Sequence, residues 1–338
     1  MSGSYERVFL TGGTGFLGGR TAQALAAAGC EVVMLARRPD TVVDLPAGTR
    51  VVPGDLLDGE SLRRGMKGCD AVVHLAALVK RWARKASLFD QVNVGGLASV
   101  LQSAREEGIS RVVYSSSFIA LGPTDGTVGD EDHVHDGMPR NDYERTKCLA
   151  DTLARRHQEE GDDLVVVYPG IVYGPGNLTD GNILAQVARD LLRRRLPGTI
   201  GPGDRRQCLA FVDDVAEGIR LALENAAPGS RYLLGGENIT TKEALAIMAE
   251  AGGVDAPRRV IPYSVASVIG RCLRLFADLS GIEPKLTDEE VEIYRCEWAY
   301  TSERACRDLG YRITPAREGI RRMIEWLSTL DGREAIRE

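Results

Sequence analysis

The chain has little to brace it covalently and no segment suited to crossing a bilayer. Its seven cysteines, at 30, 69, 148, 208, 272, 296 and 306, are odd in number and form no C-x-x-C pair. That pattern fits reduced thiols in a cytoplasmic protein and argues against a disulfide frame or a cysteine zinc site. No uninterrupted apolar run approaches the roughly 18 to 20 residues that span a membrane. The opening MSGSYERVFL carries too short an apolar run for a secretory leader. Long polar or like-charge blocks, the mark of disorder, are missing. A basic balance is missing too: 42 Lys+Arg against 48 Asp+Glu leaves a net charge of −6, which points away from a nucleic-acid partner. No fixed-period repeat is visible, so a solenoid is out. What remains is ordinary for a globular enzyme, 338 residues of which 43% are hydrophobic and 27% charged. That length suits one large α/β domain, alone or with a smaller partner.

Short apolar runs alternate with helical patterns through the first half, the mark of βαβ units. Strands are expected at 7–11, 31–36, 50–53, 71–76, 111–115 and 164–168, with helices at 18–28, 61–66 and 89–107. VVHLAA, RVVYSS and LVVVYP are continuously apolar, as strands covered on both faces should be. After 168 glycine and proline become dense; a helix near 211 and a strand near 232 then return to the sheet, and from 240 the chain is mainly helical. The expected fold is a doubly wound parallel α/β sheet with a smaller, mainly helical C-terminal substrate cap. Residues 1–168 with 209–235 form the dinucleotide-binding domain, and 169–208 with 236–330 the cap. The cap closes a cleft over the carboxyl ends of the strands, where open α/β sheets bind ligands.

Five features in that frame carry chemistry. Thr11-Gly12-Gly13-Thr14-Gly15-Phe16-Leu17-Gly18 joins the first strand to the first helix, with Gly12, Gly15 and Gly18 in a G-x-x-G-x-x-G spacing. Glycines there allow a tight turn and bring a pyrophosphate against the positive helix end. The second strand ends in Arg37-Arg38, where an acid would hold the ribose hydroxyls of NAD. Two guanidinium groups suit a 2′-phosphate, which favours NADP and leaves NAD open. Asp55 follows the third strand, placed to meet an adenine amino group. Tyr143-x-x-x-Lys147 puts a phenol and an ammonium on one helix face, where the lysine is expected to lower the phenol's pKa. Such a tyrosine exchanges a proton with an alcohol or carbonyl oxygen. Ser115-Ser116-Ser117 ends a buried strand and offers a hydroxyl to that oxygen.

Thr11 to Gly18, Asp55, His74-Leu75-Ala76-Ala77, Asn93, Ser115 to Ser117, Tyr143/Lys147 and Phe211-Val212-Asp213-Asp214-Val215-Ala216 together resemble an extended short-chain dehydrogenase/reductase over nearly the whole chain. The resemblance implies a Rossmann domain, catalysis by Ser117, Tyr143 and Lys147, and a lysine that also binds the nicotinamide ribose. It implies a cofactor shell of Gly12, Thr14, Gly15, Phe16, Leu17, Gly18, Arg37, Arg38, Asp55, Leu56, Ala76, Ala77, Asn93, Tyr143, Lys147, Tyr168, Gly170 and Ile171. Asn93 would orient a water or the lysine through the backbone.

Sugar-nucleotide epimerases and dehydratases of the family carry an Asn after the sixth strand and an Arg before the motif that here reads FVDDVA. The corresponding positions hold Ile171 and Gln207, with Arg206 adjacent. Tyr168-Pro169-Gly170-Ile171-Val172-Tyr173-Gly174 instead resembles the dihydroflavonol-reductase-like and hydroxysteroid-dehydrogenase-like branches. Ser116 to Gly122, Gly198 to Gly201, Tyr232 to Asn238 and Glu297 to Tyr300 resemble farnesol dehydrogenase-like proteins. The implied reaction interconverts an alcohol and its carbonyl on a prenyl, terpenoid or steroid-like substrate; the alternative is a sugar-nucleotide epimerase or dehydratase.

Segment 263–281 sets Val265, Val268, Ile269, Cys272, Leu273, Phe276 and Leu279 at helical spacing. A core-facing cap helix is expected; the other reading is an apolar lip for a lipid substrate, resting peripherally on a membrane. The helices around 93–107 and 143–157 suit a homodimer's four-helix bundle. Asp130-Glu131-Asp132-His133-Val134-His135-Asp136 lacks a zinc spacing, so no metal is expected there, only a loop near the substrate mouth.

Overall fold

Seven short apolar strands among the described residues build the central sheet of the computed structural model, which describes residues 5–41 and 45–335. Residues 1–4 and 42–44 of the expected 1–168 unit lie outside the described residues. The strands are β1 (Arg7–Thr11), β2 (Glu31–Ala36), β3 (Thr49–Pro53), β4 (Ala71–His74), β5 (Arg111–Ser115) and β6 (Leu164–Pro169); β7 (Ile171–Tyr173), β8 (Thr199–Ile200) and β9 (Arg206–Phe211) follow, then β10 (Arg231–Leu234), β11 (Asn238–Thr240) and β12 (Val260–Ile261). The central order is β10-β6-β5-β4-β1-β2-β3, with every pair parallel. The chain runs outward from β1 through β3 and restarts at β4 on β1's other side. That reversal opens a crevice at the carboxyl ends of β1 and β4.

Alternation along each strand feeds two separate cores. Val8 and Leu10 point to one face and Phe9 to the other, all fully buried. Helices α1 (Phe16–Ala27) and α7 (Val212–Asn225) cover the first face. Helices α2 (Gly59–Met66), α4 (Gly96–Glu106) and α5 (Asp142–Glu159) cover the second. A short α3 (Ser87–Phe89) enters α4 through a π-helical turn, Asp90–Gly95, where one continuous helix over 89–107 is expected. β4 stops at His74, two residues short of its expected end, because Ala76 N donates to the Thr11 hydroxyl at 3.3 Å.

The C-terminal part is helical, as expected. Helices α6 (Ile183–Leu192), α8 (Thr241–Gly252) and α12 (Ala316–Ala335) enclose a third core around Tyr173, Phe211 and Met248. Thr240 starts α8 through a reciprocal cap, its hydroxyl accepting from Glu243 N while the Glu243 carboxylate accepts from Thr240 N. Small sheets β11-β9-β7 and β12-β8, with α10 (Asp288–Arg295) and α11 (Glu303–Leu309), complete this part.

Helix α9 (Tyr263–Ser280) overturns the core-facing expectation. Val265, Val268, Ile269, Cys272 and Phe276 face solvent, and Leu279 is 86% exposed. Its buried residues are Ala266, Gly270 and Ala277. A Cβ on Gly270 would stand 2.5 Å from Asp288 N, so the helix packs through its small residues and leaves the large ones outside.

Candidate functional site

β1 delivers the chain into a turn that only glycine fits. Gly12 has a φ of +75°, and a Cβ there would lie 2.6 Å from Ala76 N. Gly18 faces the Gly12 carbonyl with no space for a side chain. Gly15 caps α1 without a side-chain bond from the described residues, and the first turn holds no acid. The amides at this positive end are therefore left to an outside anion, which fits a dinucleotide pyrophosphate. Thr14 is exposed at the tip, Phe16 is buried with its ring against Gly176, and Leu17 packs toward the α1/α7 core. Arg37 and Arg38 lie exposed just past β2. Asp55 is exposed after β3, one carboxylate oxygen accepting from Leu57 N at 2.9 Å. The Leu56 side chain packs in the core beneath, against Gly96, at the floor of the crevice.

Across the crevice, α5 begins at Asp142, so Tyr143 and Lys147 lie one turn apart at its start. Lys147 Nζ stands 6.0 Å from the centre of the Tyr143 ring and 5.3 Å from that of Tyr114, and donates to the Ser115 carbonyl at 3.1 Å. Ser117 opens a short 3-10 turn, its hydroxyl accepting from Ile119 N at 3.4 Å and lying near enough to the Tyr143 phenol to favour its ionised form. Asn93 sits in the π-helical turn. Its Oδ1 accepts from Leu78 N at 2.7 Å, while its Nδ2 donates to the Leu78 carbonyl at 3.3 Å and to the Thr146 hydroxyl at 3.0 Å. One amide thus ties the half-buried Ala76-Ala77-Leu78 wall to the helix that carries Tyr143 and Lys147. Such a turn, one residue longer than an α-turn, is a frequent device at functional sites.

The electrostatics differ from the expected lysine-lowered phenol. Burial pushes the Tyr143 phenol up to about 12, opposed by the nearby Ser117 hydroxyl. Burial also brings the Lys147 ammonium down to about 7, opposed by the Asp151 carboxylate. Desolvation disfavours both charges more than the partners within the chain restore them. His74 is neutral, its ring driven down to about 3 by burial and then by Lys147, and its Nδ1 is bonded to the Thr11 hydroxyl at 2.7 Å.

Three more of the residues expected to line the cofactor lie at the end of β6 and the start of β7. Tyr168 is fully buried with its hydroxyl donating to Asp151 Oδ1 at 2.6 Å, so its side chain belongs to the core under α5. Gly170 is required by packing, since a Cβ would stand 2.6 Å from the Cys208 carbonyl. Ile171, half-buried on β7, pairs with Leu209 of β9. Arg206, the residue beside Gln207, is engaged by Glu297, with Nε to Oε1 at 2.8 Å.

The structure also adds residues that pattern alone did not single out. Glu144, fully buried, accepts from Arg140 N at 2.7 Å and from Arg140 Nη1 at 2.7 Å, and its Oε1 is bonded to His135 Nε2 at 2.9 Å. Asn141 caps Glu144 N at 2.8 Å. The signal was the Asn-x-x-Glu spacing at a helix start. Glu131 accepts from Leu233 N at 2.7 Å, and Asp132 pairs with Arg304, so the 130–136 run is pinned against the sheet.

The chain matches the NAD dependent epimerase/dehydratase family over residues 8–235. It is 32% identical to the 4-hydroxy-2-methyl-3-oxo-4-farnesyl-3,4-dihydroquinoline-1-oxide ketoreductase of Stigmatella aurantiaca, over 90% of this chain and 91% of that one. It is 32% identical to sterol demethylase protein B of Methylococcus capsulatus, over 75% of this chain and 76% of that one. Among solved structures it is similar to MoeE5 in complex with UDP-glucose and NAD, with a TM-score of 0.73 and 26% identity over 96% of this chain and 99% of that one. A glycine turn before an uncapped helix, a Ser/Tyr/Lys centre facing it, and matches across most of the chain lead to one conclusion: the protein belongs to the NAD dependent epimerase/dehydratase family, the extended short-chain dehydrogenase/reductases.

Proposed function

We propose that the protein interconverts an alcohol and its carbonyl on a lipophilic substrate with a prenyl, terpenoid or steroid-like body, using NADP or NAD. The observation that carries this reading is the convergence of Ser117, Tyr143 and Lys147 beside the Ala76-Ala77 wall. The nicotinamide, when bound, supplies or accepts the hydride. The chain does the rest. Tyr143 holds a proton at its phenolic oxygen, gives it to a carbonyl oxygen in reduction and takes it back from the hydroxyl in oxidation. Ser117 donates a second hydrogen bond to the same oxygen as charge develops there. Lys147, held by the Ser115 carbonyl, orients the ribose and, when protonated, favours the ionised phenol. Asn93 keeps the wall and the helix in register.

What the site lacks supports this substrate class. Ile171 offers no polar group for a nucleotide diphosphate, Gln207 has no charge, and Arg206 is held by Glu297. Two relatives named for a farnesyl compound and for a sterol point the same way. Arg37 and Arg38 favour the phosphorylated dinucleotide. Purified protein should form reduced nicotinamide with farnesol or a steroid alcohol, faster with NADP than with NAD. UDP-glucose, which MoeE5 binds in its complex with NAD, is the competing substrate. Turnover of UDP-glucose with none of either lipophilic alcohol would overturn the reading.

A further inference from the structure

Helix α9 turns its hydrophobic face to water. Seven of the sixteen large apolar side chains exposed among the described residues lie between 265 and 282. Val265, Val268, Ile269, Cys272, Phe276 and Leu279 stand at i, i+3, i+4, i+7, i+11 and i+14 and so form one stripe along the helix. The stripe is fixed outward, because the opposite face is locked onto the start of α10 through Gly270.

Beside the stripe lies a cationic margin. The loop after β4 carries Lys80, Arg81, Arg84 and Lys85 with no acid between them. Lys80 pairs with Glu283 at 2.7 Å, and Trp82 Nε1 donates to Asp278 Oδ1 at 2.9 Å, which fastens this loop to the carboxyl end of α9. Both bonds also satisfy acids that would otherwise face the margin. Arg84 and Lys85 are exposed and make no ion pair with a described residue, and Lys285 is exposed beside them. A chain of net charge −6 thus sets three cations without an ion pair among the described residues, Arg84, Lys85 and Lys285, beside this apolar stripe.

We propose that α9 and this margin seat the protein on an anionic lipid bilayer, the stripe entering the headgroup boundary and the cations meeting lipid phosphates and carboxylates. An apolar helical face edged by Lys and Arg, with a Trp at its border, matches that surface in polarity and charge. A second copy of the chain matches it poorly, since a two-fold contact would set one margin against the other's like charges. Leu78, four residues before Trp82, is the residue whose backbone Asn93 holds, so the lipid-facing loop continues into the wall of the site. The further step, that substrate arrives from the bilayer, rests on the proposed lipophilic substrate.

The test is sedimentation of the full chain with vesicles of phosphatidylcholine, alone or with about one third phosphatidylserine. Binding is expected to the anionic vesicles and to weaken with salt. Phe276→Glu with Leu279→Glu, and separately Arg84→Glu with Lys85→Glu, should each lower it on the order of tenfold. Their melting temperatures and turnover of a short soluble alcohol should not move. Absence of vesicle binding, or binding indifferent to both variants, overturns the proposal. So does a concentration-dependent dimer that Leu279→Glu dissolves, which would make the stripe a self-interface. Farnesol oxidation without vesicle binding overturns docking alone; vesicle binding without any alcohol turnover overturns the proposed activity alone.

Discussion

Phe9 and Phe276 are the same side chain with opposite surroundings. Phe9, on β1, is 0% exposed between α2 and the sheet, whereas Phe276, on α9, is 58% exposed. The central sheet buries every apolar side chain of β1, β4 and β5, on one face or the other. Helix α9 buries only its small residues. The contrast separates two uses of hydrophobicity: in the sheet it fixes the positions of Ser117, Tyr143 and Lys147, and on α9 it is presented outward. A hydrophobic stripe reveals that a helix has a face; the neighbouring small residues reveal which face is packed.

The largest effect expected belongs to the buried centre. Tyr143→Phe should cut turnover about 10²- to 10⁴-fold while dinucleotide binding, followed by calorimetric titration, stays intact. Retained turnover would move the proton transfer to another group. Next comes stability. Phe9→Ala should cost about 3–5 kcal/mol in urea unfolding, against about 0.5 kcal/mol or less for Phe276→Ala. Equal losses would erase the distinction between the two regions.

A smaller effect depends on pH. Lys147 releases its proton at about 7 in the folded chain and at 10.5 ordinarily. Between those values the unfolded chain holds a proton that the folded chain has given up, so stability rises with pH across that window. The lysine therefore weighs most on the folded state below pH 7 and ceases to do so as pH approaches 10.5. Lys147→Met should melt above the unsubstituted protein by a margin that is widest at low pH and narrows through the window. A margin independent of pH would mean the ammonium is not desolvated. The mildest effect lies at the surface: Arg37→Ala with Arg38→Ala should raise KM for NADP on the order of tenfold and leave KM for NAD nearly unchanged. Parallel changes for both cofactors would remove the phosphate role.

Much of the frame was legible. β1, β2 and β5 fall where alternation of apolar runs placed them, because strands covered on both faces leave an unambiguous signal. Gly12, Gly18, Tyr143 and Lys147 were legible because backbone geometry and helical spacing restrict the residue types that fit. Less could be read where burial decides. The pKa directions of Tyr143 and Lys147 follow from desolvation, which depends on the surroundings of a side chain in three dimensions. Tyr168 stands next to a strand end in sequence, yet its hydroxyl is drawn inward by Asp151. For α9, spacing identified the stripe, but only the contact of Gly270 with α10 determines that it faces outward.

The π-helical turn at Asp90–Gly95 has a consequence for chain length. It is one residue of slack wound into an otherwise regular helix. Deleting a single residue there would restore ordinary α-winding with the flanking turns still in phase, so the change would fall on the side chains of the turn itself, Asn93 among them. The Asn93 amide would then swing away from Leu78 and Thr146, and the Leu78–Trp82 segment would lose its registration with α5. Substitutions that preserve an amide at 93 leave that winding alone. A one-residue deletion does not, so this short stretch should tolerate exchange of side chains far better than any change in their number.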